Sequence, residues 1–525
     1  MMMKKHSIYF KTLLGTLLFS MLFINACNDE ELLDKENPNV LTPGSFYQTA
    51  DDALLGLTSV YSGWQDRGLM NRMYFFGNDM PSDENLGTNN LQAVLRQMLE
   101  YTWESDNGVI FEMWRDYYKG VAKANRFLAG VEQVEMDQNL KTRYIAEARF
   151  LRATYYFDLV NKWGDVPLIT IPPDDVIEQP RTPASEVWQF VIDELTFAKN
   201  NLPTKDEYSA ENRGRATSGA AAGYLGKAYL FTEQWAQAEA EFDAIINGSF
   251  GNYVLVEDFR LNGIGEEQSP DAENNDESLF EVQFQDALGG VWGIDNNGGG
   301  ENTFRAVEYD FGSFNNVRPR QDFADRFELG DPRYEQTFYD DGVPLWNGND
   351  FLKEDWGSLI AWRKYSNRDI RPDNNQSSGI NFRLLRYADV LLMAAEAKLN
   401  NGKPIADVLA LVNQVRQRAI DQKTNPNIDL YMPRTLDNTL ELYPTAEYPA
   451  GTTEEVMTII MHEREVELAG EQKRYDDLRR WGLDDDIAIA NGRPYQVGKH
   501  EFWPIPLNEI DTNPEISQSD QNPNY

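Results

Sequence analysis

The chain has 525 residues, and its 41% hydrophobic content suffices for a large core. It carries 85 acidic and 48 basic residues, a net charge of −37, so nucleic acids and anionic polymers are poor general partners. With one cysteine and three histidines, it has almost no material for zinc sites or Cys–His catalysis.

The N-terminus is typical of a secretory signal. Lys4, Lys5 and Lys11 precede a mostly apolar run at 13–24 that is too short to span a bilayer. Removal of residues 1–26 takes away those three lysines and no acids, so the net charge of the mature chain falls from −37 to −40.

Cys27 stands where this signal is expected to be cleaved. It follows Ile24-Asn25-Ala26, which resembles a lipobox because a small residue precedes the cysteine. The position predicts that Cys27 carries lipid and that residues 27–39 form a flexible tether. The alternative is a core cysteine that lies near a signal peptide by chance. The acidic run that follows, Asn28-Asp29-Glu30-Glu31, resembles an export signal to the cell surface.

Helical spacing of apolar residues dominates two blocks of the chain. Before residue 250 it covers 44–61, 109–132, 140–162, 183–200, 217–231 and 235–247. Residues 217–250 fit a tetratricopeptide unit, with the repeat's own offsets at Leu225, Gly226, Tyr229, Ala238 and Phe242. A second antiparallel pair is predicted at 384–400 and 405–420. The pattern predicts a mainly α fold, a tetratricopeptide-like scaffold of helical pairs at 44–250 and 384–482.

Two intervals between the helices have a different character. Residues 251–383 are rich in Asn, Asp, Gly and aromatics, with brief strand-like runs such as 278–284, and 71–106 is a similar loop-rich interval. A long irregular insertion is usually functional, and binding residues concentrate on loops held by a rigid scaffold. We therefore expect residues 40–525 to form one domain whose ligand face lies on these two intervals.

The stretch 459–481 combines a helical period with many charges. Thr452 and Glu455 have the spacing of a capping box, and Glu463 and Glu467 then fall on the apolar stripe of the helix. Buried carboxylates require cationic partners, so we predict a buried ion-pair knot. The nearest arginines along the chain are Arg474, Arg479 and Arg480.

This stretch, IIMHEREVELAGEQKRYDDLRRW, closely resembles a signature of the SusD/RagB family, in which I-x-x-E-R-x-x-E-L is followed by E-x-x-R-x-x-D-L-x-R-W. Further similar stretches begin at Ala146, Arg383 and Phe502, in the same order as in the family. The family usually ends in Q-N-P-G-Y, and this chain has Asn524 at the glycine position, where Asn tolerates a left-handed backbone.

The resemblance implies a surface-exposed lipoprotein of the outer membrane that binds nutrients. It implies a helical scaffold with loops as the ligand face, a TonB-dependent, SusC-like transporter as partner, and neither enzymatic activity nor a cofactor. Our leading hypothesis is a glycan-binding lipoprotein that passes its ligand to such a transporter. The alternative is a peptide-binding or scaffold lipoprotein of tetratricopeptide type.

Catalytic motifs are weak in this chain. The sequence from His462 begins like a zincin helix but has Val466 where the second histidine ligand is required. A glycoside hydrolase needs only two carboxylates, so residue counts leave that class open. Glu463 and Glu467 would lie one helical turn apart, yet neighbouring arginines would keep both ionised and so remove the general acid.

Sugar binding would use aromatic faces together with Asn, Asp and Arg side chains. Six of the twelve tryptophans lie in or beside irregular segments, namely Trp64, Trp103, Trp292, Trp346, Trp356 and Trp362. Trp292 is the first candidate because glycines surround it. The further candidates are Asp79, Asp83, Asn89 and Arg320, whose alternative roles are turn and helix-cap chemistry.

Overall fold

The computed structural model describes residues 46–172, 179–285, 302–345, 349–357, 359–368, 378–423, 425 and 440–525. Within the described part, residues Thr49–Tyr525 form one compact unit. Cys27, Trp292, Trp346 and the side chain of Trp356 lie outside the described part, as do the signal and the tether.

Helices make up most of the described chain. The first block contains α1 (Ala50–Tyr61), α2 (Met73–Asp79), α3 (Ala93–Glu100), α4 (Gly108–Val131), α5 (Gln138–Trp163), α6 (Ala184–Asn201), α7 (Ser218–Phe231) and α8 (Trp235–Ile246). A 3-10 turn at Ser62–Gln65 and a π-helical turn at Arg67–Asn71 join α1 to α2.

The helices after residue 250 are numbered onwards in chain order. They are α9 (Arg305–Tyr309), α10 (Gln321–Ala324), α11 (Arg333–Thr337), α12 (Tyr387–Asn400), α13 (Ile405–Gln422), α14 (Thr453–Glu467), α15 (Arg474–Arg480), α16 (Asp484–Ala490) and α17 (Leu507–Thr512). The predicted mainly α class is confirmed.

Side-chain caps explain where several of these helices begin. Asn107, Asp137 and Thr217 each accept a hydrogen bond from a backbone N–H in the first turn of α4, α5 and α7. The capping box predicted from Thr452 and Glu455 is present at the start of α14.

The long helices pack side by side as a scaffold. In order, α4 packs on α5, α5 on α6, α6 on α7, α7 on α8 and α8 on α12, which also contacts α13 and α14. The predicted tetratricopeptide pair is α7 with α8. A Cβ on Gly226 would stand 2.6 Å from the Phe242 ring, so the glycine allows the two helices to approach closely.

Three short antiparallel strand pairs cross the irregular intervals. Strand β1 (Asn85–Gly87) pairs with β3 (Val317–Pro319), β2 (Ser278–Val282) with β6 (Phe382–Arg386), and β4 (Phe338–Tyr339) with β5 (Ala361–Trp362). The predicted helix start at residue 384 is therefore wrong. Residues 384–386 are strand, because their fully buried segment pairs with β2, and the helix begins at Tyr387.

The irregular intervals contain more packed structure than predicted. The interval 71–106 holds α2, β1 and α3, and the long insertion has its own apolar cluster of Phe311, Tyr339, Val343, Phe351 and Ala361. None of the described helices is long and apolar enough to cross a membrane.

Three of the six tryptophans in or beside the predicted irregular segments are buried. Each indole N–H has a hydrogen-bond acceptor inside the protein: Trp64 donates to Thr154, Trp103 to Tyr525 and Trp362 to Asn85. These side chains fill the core beneath the loops and are not available as stacking surfaces.

Candidate functional site

The β1·β3 pair brings the two loop intervals together at one place. Leu86 lies opposite Arg318 in the register, and the Arg318 Nη2 donates to Thr88 Oγ1 over 3.1 Å. The backbone N–H of Arg320 donates to the carbonyl of Glu84 over 2.9 Å. We call the surface formed by Thr88, Asn89, Phe314, Arg318 and Arg320 the β1–β3 edge.

Arg318 has an unusual environment for an arginine in so acidic a chain. Its guanidinium donates to two neutral oxygens, the Thr88 hydroxyl and the Asn315 carbonyl, and no carboxylate among the described residues forms an ion pair with it. Burial lowers the pKa of Arg318 from its usual range. A half-buried cation without a carboxylate retains capacity to donate to a ligand.

Two other side chains of the β1–β3 edge face solvent. Phe314 is 48% exposed, and Asn89 is exposed with a side-chain amide that makes no hydrogen bond within the described residues. The Asn89 carbonyl is held by Arg96 Nη2 at 2.9 Å. Arg320, unlike Arg318, already has a carboxylate partner, because its guanidinium donates to both carboxylate oxygens of Asp322, at 2.9 and 2.8 Å.

Asp79 is fully buried, which leaves its carboxylate no surface for a ligand. It accepts hydrogen bonds from the Tyr309 hydroxyl and the Gln472 amide. Burial raises the pKa of Asp79 to about 6, although these hydrogen bonds and Arg305 act in the opposite direction.

Asp83 is also fully buried and is a partner of arginines. It accepts from Arg474 Nε at 2.8 Å and from Arg326 Nη1 at 2.7 Å. Burial alone would raise its pKa, but the two guanidinium groups hold the pKa well below the usual range. Asp79 and Asp83 are therefore buried structural residues, and the prediction that either contacts the ligand directly is wrong.

The predicted buried ion-pair knot exists, but its predicted cations are wrong. Glu467 accepts from Arg333 at 2.9 Å, from Arg386 at 2.6 Å and also from Arg418. Glu463 accepts from Arg333 at 2.6 Å and lies 3.5 Å from Arg416. All six side chains are buried.

The arginines that follow α14 pair elsewhere because the chain reverses after it. Gly470 and Gln472 have left-handed backbones, with φ of 68° and 57°. This turn directs Arg474 to Asp83, Arg480 to Glu396 and Asp477, and Arg479 to backbone carbonyls.

The knot is unsuited to acid–base chemistry. Burial alone would raise the pKa of Glu467, but the guanidinium groups of Arg418, Arg386 and Arg333 hold it well below the usual range. A permanently ionised, enclosed carboxylate cannot act as a general acid. Within the described residues, no three His, Cys, Asp or Glu side chains are grouped to hold a metal ion.

Two features of the β1–β3 edge were missed or understated by sequence reasoning. Phe314 was not singled out, although it lies among the turn-forming residues of Gly312-Ser313-Phe314-Asn315-Asn316. Arg318 was not among the candidate ligand-binding residues. The signal in the sequence was an aromatic residue, Phe314, within a run of turn-forming residues.

Two family models match the chain in succession. One, described as "Starch-binding associating with outer membrane", matches residues 32–230, and the other, described as "SusD family", matches residues 276–525. The chain belongs to the SusD family. Its members are carbohydrate-binding proteins associated with the outer membrane.

Similarity to other SusD-family proteins extends over nearly the whole chain. "SusD-like protein P2" of Formosa agariphila is 25% identical over 552 residues, with 100% of each chain covered. A solved "Laminarin binding SusD-like protein" is 27% identical, with a TM-score of 0.71 and 91% of this chain and 100% of that chain covered. A solved SusD-superfamily protein from Bacteroides vulgatus is 24% identical, with a TM-score of 0.73 and coverage of 91% and 99%. The observed helical scaffold is thus the SusD fold.

The left-handed backbone expected at Asn524 is also observed, with φ of 67°. Asn524 therefore adopts the left-handed conformation that glycine favours and that asparagine tolerates.

Proposed function

We propose that this SusD-family protein captures a neutral or weakly acidic glycan at the β1–β3 edge and delivers it to a TonB-dependent, SusC-like transporter. It acts without catalysis, from the outer face of the outer membrane, anchored through lipid on Cys27. The observation that carries the proposal is the half-buried Arg318, which has no carboxylate partner among the described residues, beside the exposed Phe314 and Asn89.

The chemistry of these three groups suits a sugar. An aromatic ring covers the C–H face of a pyranose, the Asn89 amide both donates and accepts, and the Arg318 guanidinium donates to hydroxyl oxygens. Arg318 is held by Thr88 and Asn315, so little conformational freedom is lost when it binds a ligand.

The net charge of the chain supports an uncharged ligand. A strongly anionic polysaccharide would meet a surface of the same sign over most of the molecule. The named ligands of the matches are also neutral glucans, since one family model is described as starch-binding and one solved relative as laminarin-binding. Starch and laminarin are therefore the first ligands to test.

Arg318→Ala should weaken glycan binding without unfolding the protein. Loss of a hydrogen bond from a charged donor costs about 1.5 to 3 kcal/mol, or roughly a tenfold to hundredfold rise in Kd. Isothermal titration with laminarin and with soluble starch measures the change. The matched control is Arg213→Ala, an exposed arginine in the loop between α6 and α7. Equal affinity of the parent and Arg318→Ala would contradict the location of the site.

Trp292 remains a proposed stacking residue of the same ligand face. Trp292→Ala should raise the Kd for the glycan while the melting temperature stays that of the parent, because the glycine-rich sequence around Trp292 predicts a loop, and a loop residue carries little of the core. If affinity is unchanged, Trp292 has a packing role and the β1–β3 edge acts without it.

A further inference from the structure

A cavity separate from the β1–β3 edge lies between helix α4 and the C-terminal helix α17. It has a volume of about 380 Å³, and its wall also includes Pro167, Ile169 and Gln179. We call it the α4–α17 cavity. It lies within the range of roughly 300 to 1,000 Å³ of small-molecule sites, at the small end.

Aromatic side chains of α4 form much of the wall of this cavity. Phe111, Trp114 and Tyr118 all line it, and the last two rings lie 4.9 Å apart at 52°. Their polar atoms are engaged elsewhere, because the Trp114 indole donates to Glu509 over 3.2 Å and the Tyr118 hydroxyl donates to the Pro167 carbonyl over 2.8 Å. Trp114 is itself buried, so the apolar surface offered to an occupant is that of the half-buried Phe111 and Tyr118.

The remaining wall of the cavity combines apolar residues, among them Val121 and Ile169, with polar side chains that include unused amides. The side chains of Gln179 and Asn508 make no hydrogen bonds within the described residues. Of the charged side chains, Arg115 donates to both oxygens of Asp116 at 2.7 and 2.9 Å, and both oxygens of the Glu509 carboxylate already accept hydrogen bonds, from Trp114 and Asn513. An occupant would meet aromatic faces and amides, a combination that selects a neutral, hydroxyl-bearing ligand.

We propose that the α4–α17 cavity is a second carbohydrate subsite that takes one or two rings of a neutral sugar. The proposal rests on the proposed function for its class of ligand, but it shares no residue with the β1–β3 edge. It also gives a role to the C-terminal stretch from Phe502, which contributes Asn508, Glu509, Thr512 and Asn513 to the cavity. Two subsites on one chain would increase the avidity for a long glycan over a short one.

The test is isothermal titration of the mature chain with maltotriose and with laminaritriose. The rim variant combines Gln179→Ala with Asn508→Ala, two side chains that make no hydrogen bonds to the described part of the chain, so folding should be preserved and is checked by thermal melting. The edge variant is Arg318→Ala. We expect the parent chain to bind the trisaccharide at two sites. Each variant should keep one site unchanged and lose at least about tenfold in affinity at the other.

The outcomes separate this inference from the proposed function. A single parent site that the edge variant abolishes and the rim variant leaves intact would overturn the second subsite alone. A single site abolished by the rim variant alone would support the subsite and overturn the β1–β3 edge as the place of capture. Failure of the parent to bind either trisaccharide, or laminarin or starch, would overturn both. A crystal soaked in laminaritriose, with a sugar ring against Tyr118, would support the subsite directly.

Discussion

At the scale of single residues, Glu467 shows how the interior tolerates charge. Its carboxylate is fully enclosed and accepts hydrogen bonds from three arginines. Glu467→Ala would leave those arginines with unbalanced charge, so we expect a loss of roughly 3 to 5 kcal/mol in the free energy of unfolding. Urea denaturation measures it.

The matched control for this prediction is Glu454→Ala, an exposed glutamate in the first turn of the same helix. That change should alter stability by no more than about 0.5 kcal/mol. If Glu467→Ala unfolds like the parent but loses a hydrolytic activity, the knot is catalytic and our structural account of it is wrong.

Asp79 makes the stability of the protein depend on pH. Its pKa of about 6 in the folded protein exceeds the ordinary value of 3.8, so the folded state binds this proton more tightly than the unfolded state. The stabilisation is fully present below about pH 4 and is lost as the pH rises through 6.

Asp79→Asn removes this titration. The stability of the variant relative to the parent should therefore increase between about pH 4 and pH 6 and level off above about pH 7. Urea denaturation across that range checks it, with the exposed Asp51→Asn in α1 as control. A difference that does not vary with pH would refute the prediction.

Sequence reasoning at this scale identified the charges that need partners but not the partners. The helical period placed Glu463 and Glu467 on a buried stripe, and that was correct. The arginines that pair with Glu467 lie far from it in the chain, with separations of 49 residues for Arg418 and 134 residues for Arg333. A local sequence pattern cannot predict pairing over such separations. Asp79 and Asp83 were misassigned for the same reason, because Arg474 lies 391 residues from Asp83 in the chain.

At the scale of elements, the α7–α8 pair depends on one glycine. Because a Cβ on Gly226 would stand 2.6 Å from Phe242, Gly226→Leu would force the helices apart. We expect a loss of at least about 1 to 3 kcal/mol from overpacking, measured by thermal or urea denaturation.

Ala236→Leu on the exposed side of α8 is the control for that change, since it adds the same side chain where solvent accommodates it. The control should stay within about 0.5 kcal/mol of the parent. Equal stability of the two variants would mean that the tetratricopeptide-like packing at Gly226 is not needed.

The elements differ in how well the sequence predicts them. Long helices repeat their apolar pattern over several turns, so periodicity located α4 to α8, α12 and α13. Strands β1 and β3 have three residues each, too few to show alternation, and they pair across more than two hundred residues. Their pairing creates the β1–β3 edge, so the sequence suggested Asn89 and Arg320 separately but not the surface that brings them together.

At the scale of the whole molecule, anchoring by lipid on Cys27 remains a prediction. Labelling cells with a clickable fatty acid should modify the parent and not Cys27→Ala, and the variant should leave the membrane fraction while keeping the melting temperature of the parent. Label that persists in Cys27→Ala would refute the attachment site.

Capture of a neutral glycan is the central claim, and titration of the mature chain against a ligand panel tests it most directly. The panel contains laminarin, soluble starch, a strongly anionic polysaccharide and a mixture of peptides. We predict binding to at least one neutral glucan that changes little with salt, because no net charge is neutralised on binding. Binding of peptides with no binding of any glycan would contradict the claim and would indicate the alternative of a peptide-binding lipoprotein.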